Sequence, residues 1–403
     1  MNLAPLQRIS VYIHIPLCRA RCDYCDFFTR VGIAPARQTA LIDAIAEQAT
    51  HTLRALGDPK IDTLYIGGGT PTSLAPGPLA RLLATVRALL RTAAPNVEVT
   101  FEANPEDLHR ELLQQLTHAG VTRLSVGVQS LTDSVLRQIG RRSDAYQTAR
   151  GIDTLTRWWG GRLSLDLIAA VDYTDRRDAQ HDIGRVAAAL PDHVSLYELT
   201  VEPHTRLAQR RKRAAIVRDR SYEDRALAHL AAVRTQLQRL GFAQYEISNY
   251  AIPGFESRHN HVYWRADPVL GLGPGAAGTL PTADGPIRTT GLRAFDAFLS
   301  ADPLQRWAVD RLSLLELGEE LFMGGLRTSS GVSLRRIQHL FGQDLSALLP
   351  LTLRRHTQLF ERDRHRVRLN PRGLNVIDAV LVDLFDELAD RVATEDSVQW
   401  PIA

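Results

Sequence analysis

The sequence predicts an α/β protein: a parallel sheet with outer helices, closed or partly closed as a barrel, followed by a small, mainly helical carboxyl-terminal domain. Apolar runs rich in β-branched residues alternate with amphipathic stretches through the first half, and turn residues mark the junctions between them. Beyond about residue 305 the pattern turns helical, through ELGEELFMGGLRT and long arginine-rich amphipathic stretches. With 403 residues, 44 % of them hydrophobic, the chain has length for two or three domains and material for a large core.

The elements follow in order. Strands are expected at Ile9–Ile15, Thr63–Ile66, Val97–Phe101, Arg123–Val128, Leu163–Ala169 and His193–Leu199. Between them, Arg37–Leu56, Leu79–Leu90, Glu106–His118 and Asp144–Trp158 carry helical periodicity. Pro76-Gly77-Pro78 and Asn104-Pro105 have the character of helix entries, and Ala119-Gly120 that of an exit. An amphipathic helix over Ser221–Leu240 precedes a polar-aromatic strand, Phe242–Ser248, and GLGPGAAG (271–278) predicts a tight, close-packed turn. The expected division is a barrel core over 1–240, an accessory segment completing it over 241–305, and a terminal domain over 306–403, for which a winged-helix shape is compatible. Nothing in that shape implies DNA binding.

A net charge of +3 argues against a polyanionic partner, and nucleic acid is not expected. Only Lys60 and Lys212 are lysines, so nearly all positive charge is arginine. The start, MNLAPLQRIS, lacks the basic-then-apolar pattern of a signal peptide, and no run approaches ~20 apolar residues. The expected location is cytoplasmic, with at most peripheral contact with a membrane.

Cys18, Cys22 and Cys25 are the only cysteines and lie directly after the first strand. Pairing would leave one thiol over, which favours a metal. Structural zinc closes with four ligands, and His14 is the one candidate to complete such a set. Cubane iron–sulfur clusters take cysteine thiolates, and three of them leave one iron open to a small ligand.

If the barrel forms, functional residues gather at the carboxyl ends of its strands. Gly67-Gly68-Gly69-Thr70-Pro71 follows the second strand; such a run either lets backbone approach a ligand or simply makes a tight βα turn. Glu102 closes TFEANP, Gln129 closes SVGVQS, and Asp166 sits inside LSLDLI. Each is unusual in an apolar strand: together they suit a ligand with amine, hydroxyl and purine groups, and singly they suit buried hydrogen bonds at the rim. Arg141 lies one short helix beyond Gln129, within reach of a carboxylate or else solvated.

The basic run 206–220 reads as a solvated helix or loop, with nucleic acid or tetrapyrrole propionates as alternatives. SRHNHVYW (257–264) holds two histidines among aromatic residues. Histidine is a usual axial ligand of haem iron, so His259 and His261 are haem candidates; a packed loop is the plainer alternative.

The cysteine spacing resembles that of radical S-adenosylmethionine (SAM) proteins, in which the open iron binds the amino and carboxylate groups of SAM. VYIHIPLCRARCDYCDFF, YIGGGTPT, FEANP, SVGVQS, SLYELTVEPHTRL, GFAQYEISNYA and SRHNHVYW together resemble, in order and spacing, the coproporphyrinogen III dehydrogenase-like radical SAM family. Within it the chain is most similar to the HemW-type haem-chaperone branch, and the similarity continues through LRTSSGV (326–332). The resemblance implies a partial (β/α)6 barrel with a [4Fe–4S] cluster on Cys18, Cys22 and Cys25. It also implies Tyr12 and Tyr24 flanking cluster and ligand, and Gly68, Gly69 and Thr70 meeting the methionyl amine and carboxylate. Glu102, Gln129, Arg141 and Asp166 would take the remaining polar positions around SAM. The chemistry is the cofactor's, SAM cleaved by one electron to methionine and a 5′-deoxyadenosyl radical.

Two branches differ in what they do. The dehydrogenase carries a further cysteine where this chain has Phe27, and a longer segment before the motif. The chaperone reading is therefore favoured: haem is bound and delivered to haem proteins, those of a respiratory chain being expected, and an electron donor is required only if SAM is turned over. A radical SAM enzyme acting on a tetrapyrrole is the alternative. The chain departs from the chaperone pattern at Ser143, where a histidine is usual, at Ala169-Ala170-Val171 in place of Y-G-L, and at Ala277 in place of the histidine of A-H-G. These changes remove two histidines and alter a loop at the cofactor mouth.

Overall fold

The computed structural model describes residues 2–169, 171, 176–213, 220–392 and 400. Six parallel strands, β1 (Arg8–Ile15), β2 (Lys60–Gly68), β3 (Ala93–Ala103), β4 (Arg123–Gln129), β5 (Arg162–Ala169) and β6 (His193–Glu198), lie side by side in chain order. The antiparallel pair β7 (Ala243–Glu246) and β8 (Asn249–Ala251) extends the sheet beyond β6. On the other side β9 (Val269–Leu272) runs parallel to β1, and β10 (Ala277–Thr282), β11 (Gly285–Gly291) and β12 (Trp307–Arg311) continue antiparallel. The two edges, β12 and β7, belong to different ends of one twelve-stranded order, so the curved sheet is an open barrel. The sequence reads 271–278 only as a turn; β9, a seventh parallel strand, runs into its start, hidden because VLGL is too short to show a period.

Outer helices cover the sheet: α1 (Pro35–Ala55), α2 (Pro76–Leu89), α3 (Arg110–His118), α4 (Asp133–Gln138), α5 (Ala145–Trp158), α6 (Arg176–Ala188), α7 (Arg206–Arg213) and α8 (Arg220–Arg239). Helix α1 illustrates the physics. Proline occupies its first turn, where no backbone N–H bond is lost, and Leu41, Ile42, Ile45, Ala49 and Leu53 recur on one buried face. Each such aliphatic side chain contributes about 1.5–3 kcal/mol by leaving water. The stretch predicted as a single helix over Glu106–His118 is broken instead: Pro105–Asp107 forms one tight turn, and His109 then caps α3 by accepting the N–H of Leu112. A capping box, Asp144 with Gln147, starts α5.

Strand alternation divides the sheet into two chemically different faces. Val11, Ile13 and Ile15, Leu64 and Ile66, Val99 and Phe101, Leu124 and Val126, Leu163 and Leu165, and Val194 and Leu196 form the apolar layer under the helices. The alternate positions are polar on every strand: Ser10, Tyr12 and His14; Thr63 and Tyr65; Glu98, Thr100 and Glu102; Arg123 and Ser125; Ser164 and Asp166; His193 and Ser195. The concave interior is thus a continuous polar surface, of which the sequence had singled out Tyr12, His14, Glu102 and Asp166.

The terminal part begins at α11 (Leu314–Leu326), after two short helices, α9 (Arg258–Trp264) and α10 (Phe295–Ser300). A capping box of Ser313 with Glu316 starts it. The small strands β13 (Val332–Ser333), β14 (Phe360–Arg362) and β15 (Arg366–Leu369) form a second sheet with β15 central, and a long helix, Ile377–Arg391, packs against α11. Leu317, Leu321, Phe322, Ile337, Leu348, Val380, Leu384 and Leu388 make a second apolar core.

Candidate cluster and cofactor site

The segment between β1 and α1 carries all three cysteines, and its two ends are tied together. The N–H of Cys18 donates to the carbonyl of Arg30 at 3.0 Å, and the N–H of Arg30 to that of Pro16 at 2.6 Å. Its middle is pinned from the far side of the barrel: Asp23 donates its N–H to the carbonyl of Ile139 and accepts the N–H of Leu207 at the start of α7. Arg210 of α7 closes a 2.7 Å ion pair with Asp23. The basic run 206–220 therefore has a definite task over its described part, 206–213, which is to hold the cysteine loop.

All three thiols are free and half-buried. Burial pushes the Cys18 thiol up to about 11, and burial also raises Cys25. A thiolate here needs a neighbouring positive charge, and a bound metal centre supplies one. Arg141 is the protein's own cation. Its Nη1 stands 3.8 Å from the Cys22 sulfur, while Nη2 donates to Asn104 Oδ1 at 3.1 Å and to the Gly127 carbonyl at 2.8 Å. Its side chain is 6 % exposed, so the solvated reading of this arginine does not hold. Its Nε is buried with no partner.

This donor set distinguishes the two metal readings. His14 commits both ring nitrogens, Nδ1 to the Tyr12 hydroxyl at 2.8 Å and Nε2 to the Phe28 carbonyl at 3.1 Å, so it does not complete a four-ligand zinc set. Among the described residues no three His, Cys, Asp or Glu side chains converge on the scale of a single ion. Three thiols without a fourth ligand suit a cubane cluster with one open iron; the orphan Nε of Arg141 is an unspent polar group beside them, and the Thr70 hydroxyl lies 3.8 Å from Cys18 Sγ.

The glycine turn serves close packing first. Gly68 has φ of +111°, and a Cβ there would lie 2.5 Å from the His14 ring. A Cβ on Gly67 would meet the Glu102 carboxylate at 2.6 Å, and one on Gly69 the Leu17 carbonyl at 2.5 Å. The expected backbone donors are already engaged: Gly69 N–H with Ile15 and Thr70 N–H with Leu17. Glu102 takes the third, accepting the Gly68 N–H at 3.0 Å on one oxygen and the Tyr65 hydroxyl at 2.7 Å on the other. Burial pushes its carboxyl up to about 7; the Tyr65 hydrogen bond opposes this and the Asp166 charge adds to it.

Gln129 ends β4 in the left-handed region, φ +66°, at a register shift opposite β5, and its amide folds over Gly127. Asp166 accepts from the hydroxyl of Ser125 at 3.1 Å, with Ser164 at 3.5 Å, and burial raises its carboxyl too. Tyr24 packs against Val135, Ile139, Ile168 and Leu207, and burial raises its hydroxyl. Tyr12 sits one layer further in, beside Tyr65. Asn104, which ties Arg141 to the Thr70 hydroxyl, and Tyr65, which holds Glu102, escape the sequence reading. Their signal is adjacency, Asn104 two residues past Glu102 and Tyr65 two before the glycines. The change at Ala169-Ala170-Val171 falls partly at Ala170, outside the described residues.

The haem candidates lie elsewhere. SRHNHVYW forms helix α9 rather than a loop, with its start capped by Ser257 and by Glu98, whose carboxylate accepts the N–H groups of Arg258 and His259. His259 is 2 % exposed, bonds Thr63 Oγ1 at 2.7 Å through Nδ1 and stacks on Tyr65. Thr63 pairs with Ser10, five residues before Ile15, roughly 17 Å along the strand from its cysteine end. The structure therefore gathers Cys18, Cys22, Cys25, Thr70, Glu102, Gln129, Arg141 and Asp166 at the carboxyl ends and leaves α9 at the amino ends. His261 is half-buried between Tyr245 at 5.4 Å and Trp264 at 5.3 Å, and burial lowers its imidazole to about 4.

An open parallel barrel whose first strand feeds a three-cysteine loop is the architecture of radical SAM proteins, and the sequence model of the Radical SAM superfamily matches residues 12–161, that of the HemN C-terminal domain residues 312–376. Heme chaperone HemW of Bacillus subtilis is 32 % identical over 86 % of this chain and 90 % of its own length. Heme chaperone HemW of Lactococcus lactis is 31 % identical over 93 % of this chain and 97 % of its own. The chain belongs to the family of these HemW proteins. Among solved structures, coproporphyrinogen III oxidase (HemN) from Escherichia coli superposes with a TM-score of 0.78 over 94 % of this chain and 90 % of that one; at 19 % identity the likeness is one of fold.

Proposed function

We propose that this protein is a haem chaperone, binding haem and passing it to haem proteins, with a SAM-bound [4Fe–4S] cluster held by Cys18, Cys22 and Cys25. One observation carries the reading against a dehydrogenase: Phe27, at the position of that enzyme's further cysteine, is 70 % exposed and offers no ligand. When bound, the cluster and SAM supply one-electron chemistry at the mouth of the barrel. The chain's own residues have simpler tasks. Arg141 sets a positive charge against Cys22, Thr70 offers a hydroxyl beside Cys18, and Glu102, Gln129 and Asp166 present polar groups to a ligand seated over the strand ends.

For the haem itself, His261 is the better axial ligand. Its imidazole is neutral above about pH 4 and only half-buried, whereas His259 is enclosed by Thr63, Tyr65 and Glu98. The recipients we propose are haem proteins of a respiratory chain, with an electron donor needed only if SAM turns over. The location we propose is the cytoplasm, with at most peripheral membrane contact; no helix among the described residues is long and apolar enough to cross a bilayer.

The test combines two measurements on anaerobically reconstituted protein. Haem titration should give one haem per chain, weakened at least tenfold in His261→Ala and little changed in His259→Phe. Incubation with reductant, SAM and coproporphyrinogen III should give no decarboxylated product. Multiple turnovers in that assay would overturn the chaperone reading in favour of the dehydrogenase.

A further inference from the structure

Two arginines at the junction between barrel and terminal part, Arg265 and Arg366, form no ion pair among the described residues. The terminal segment 328–331 docks on the barrel's strand edge: Ser329 donates its N–H to the Tyr245 carbonyl at 2.9 Å, and Thr328 bridges to Glu246. Tyr245 in turn packs its ring on His261. Arg366, the first residue of β15, lays its guanidinium over this same segment, with Nη1 3.4 Å from the Ser330 carbonyl and 3.2 Å from the Gly331 carbonyl. Those are long contacts to neutral acceptors. No carboxylate pairs with Arg366 among the described residues, whereas Arg327 has Glu246 and Arg336 has Asp267. Arg265 lies one helical turn after His261, is exposed, and forms no ion pair among the described residues, the neighbouring Asp267 being paired with Arg336.

Both cations connect to His261 through the structure: Arg265 donates its backbone N–H to the His261 carbonyl at 3.1 Å, and Arg366 covers the segment that bonds Tyr245, whose ring lies 5.4 Å from the imidazole. His261 Nδ1 is buried without a partner. An imidazole, two aromatic walls and two guanidiniums that form no ion pair among the described residues, from different parts of the chain, thus belong to one neighbourhood. Arginine binds carboxylate through a paired N–H fork, and such charge-assisted bonds are the strong ones.

We propose that Arg265 and Arg366 bind the two carboxylates of the iron porphyrin whose metal His261 ligates, so that the terminal part completes the haem site. The inference rests on the haem reading of the preceding section and gives the terminal part a direct share in ligand binding. It also explains why that part is locked to the strand edge through residues 328–331.

The experiment titrates full-length wild type, Arg366→Gln and Arg265→Gln with haem and with haem dimethyl ester, whose carboxylates are blocked. Wild type should bind the ester roughly tenfold more weakly than haem, and each variant should bind haem about tenfold more weakly than wild type does. Ester binding should be the same in all three proteins, which also establishes that the variants are folded. Equal affinity of wild type for haem and ester, or variants that bind haem like wild type, would overturn the assignment of the arginines. If wild type binds neither ligand, the haem reading itself fails, and this proposal with it.

Discussion

Glu102 is a buried carboxyl with both oxygens spoken for, one by Tyr65 and one by the Gly68 backbone, and burial lifts it from 4.5 to about 7. The sign follows directly. Between those values the folded chain keeps a proton that the unfolded chain has lost, so the contribution of Glu102 to stability is greatest below about pH 4.5 and declines as pH rises through 7. Glu102→Gln cannot ionise and should lack this decline. The difference in unfolding free energy, wild type minus variant, should fall by on the order of 3 kcal/mol between about pH 4.5 and pH 8. Urea denaturation across that range measures it, and a constant difference would mean that the carboxyl is not buried as a neutral group. Single residues were legible where they break an apolar strand, as Glu102 and Asp166 do. Tyr65 and Asn104 escaped because tyrosine is ordinary in a strand and asparagine ordinary in a turn; only the fold brings them to Glu102 and Arg141.

At the scale of elements, the glycine turn after β2 is a packing device. It lets β1, β2 and β3 end at one point, with His14, Leu17 and Glu102 filling the space that side chains would take. Gly68→Ala meets both a positive φ and the His14 ring, and should destabilise by on the order of 2–3 kcal/mol. Gly77→Ala is the control: it sits in the first turn of α2 with nothing near its Cβ position, so it should be neutral or mildly stabilising. Thermal melts of the two variants compare them, and equal losses would contradict the packing role. The six core strands were readable because alternation and β-branched content coincide. Helix α9 was not, since histidine, asparagine and tryptophan have no strong helical bias, and its start is fixed by Glu98, far away in sequence. The break before α3 was equally hidden, because its cap, His109, is an unusual capping residue.

For the whole molecule, two apolar cores meet at a junction that is largely polar. Glu246, 3 % exposed, accepts from Arg327 at 2.9 Å and also holds the Ser248 N–H and the Asn249 side chain. Arg336 pairs with Asp267, and Trp400 donates to the Ala266 carbonyl. Removing Arg327 strands a buried carboxylate, which costs on the order of 2 kcal/mol. Arg327→Ala should therefore speed hydrogen exchange at 328–331 and in α9 while leaving α1 and α2 protected. Uniform loss of protection would show that the two cores unfold as one unit. The sequence places the change of pattern near residue 305, whereas β12 (Trp307–Arg311) still belongs to the barrel sheet; the ion pairs at the junction were hidden because they join residues about 70 to 80 positions apart.

Helix α9 and Glu98 together close the amino end of the barrel, with His259 sealed beneath Tyr65. The polar interior is consequently a cup with a floor at the amino ends, its rim at the carboxyl ends where the cysteines stand. Traffic through it is last in, first out. A small ligand that seats at the base of the rim has to arrive before any larger one, and a large molecule resting on the rim traps what lies below. Binding of the two is ordered by shape alone, without any moving part.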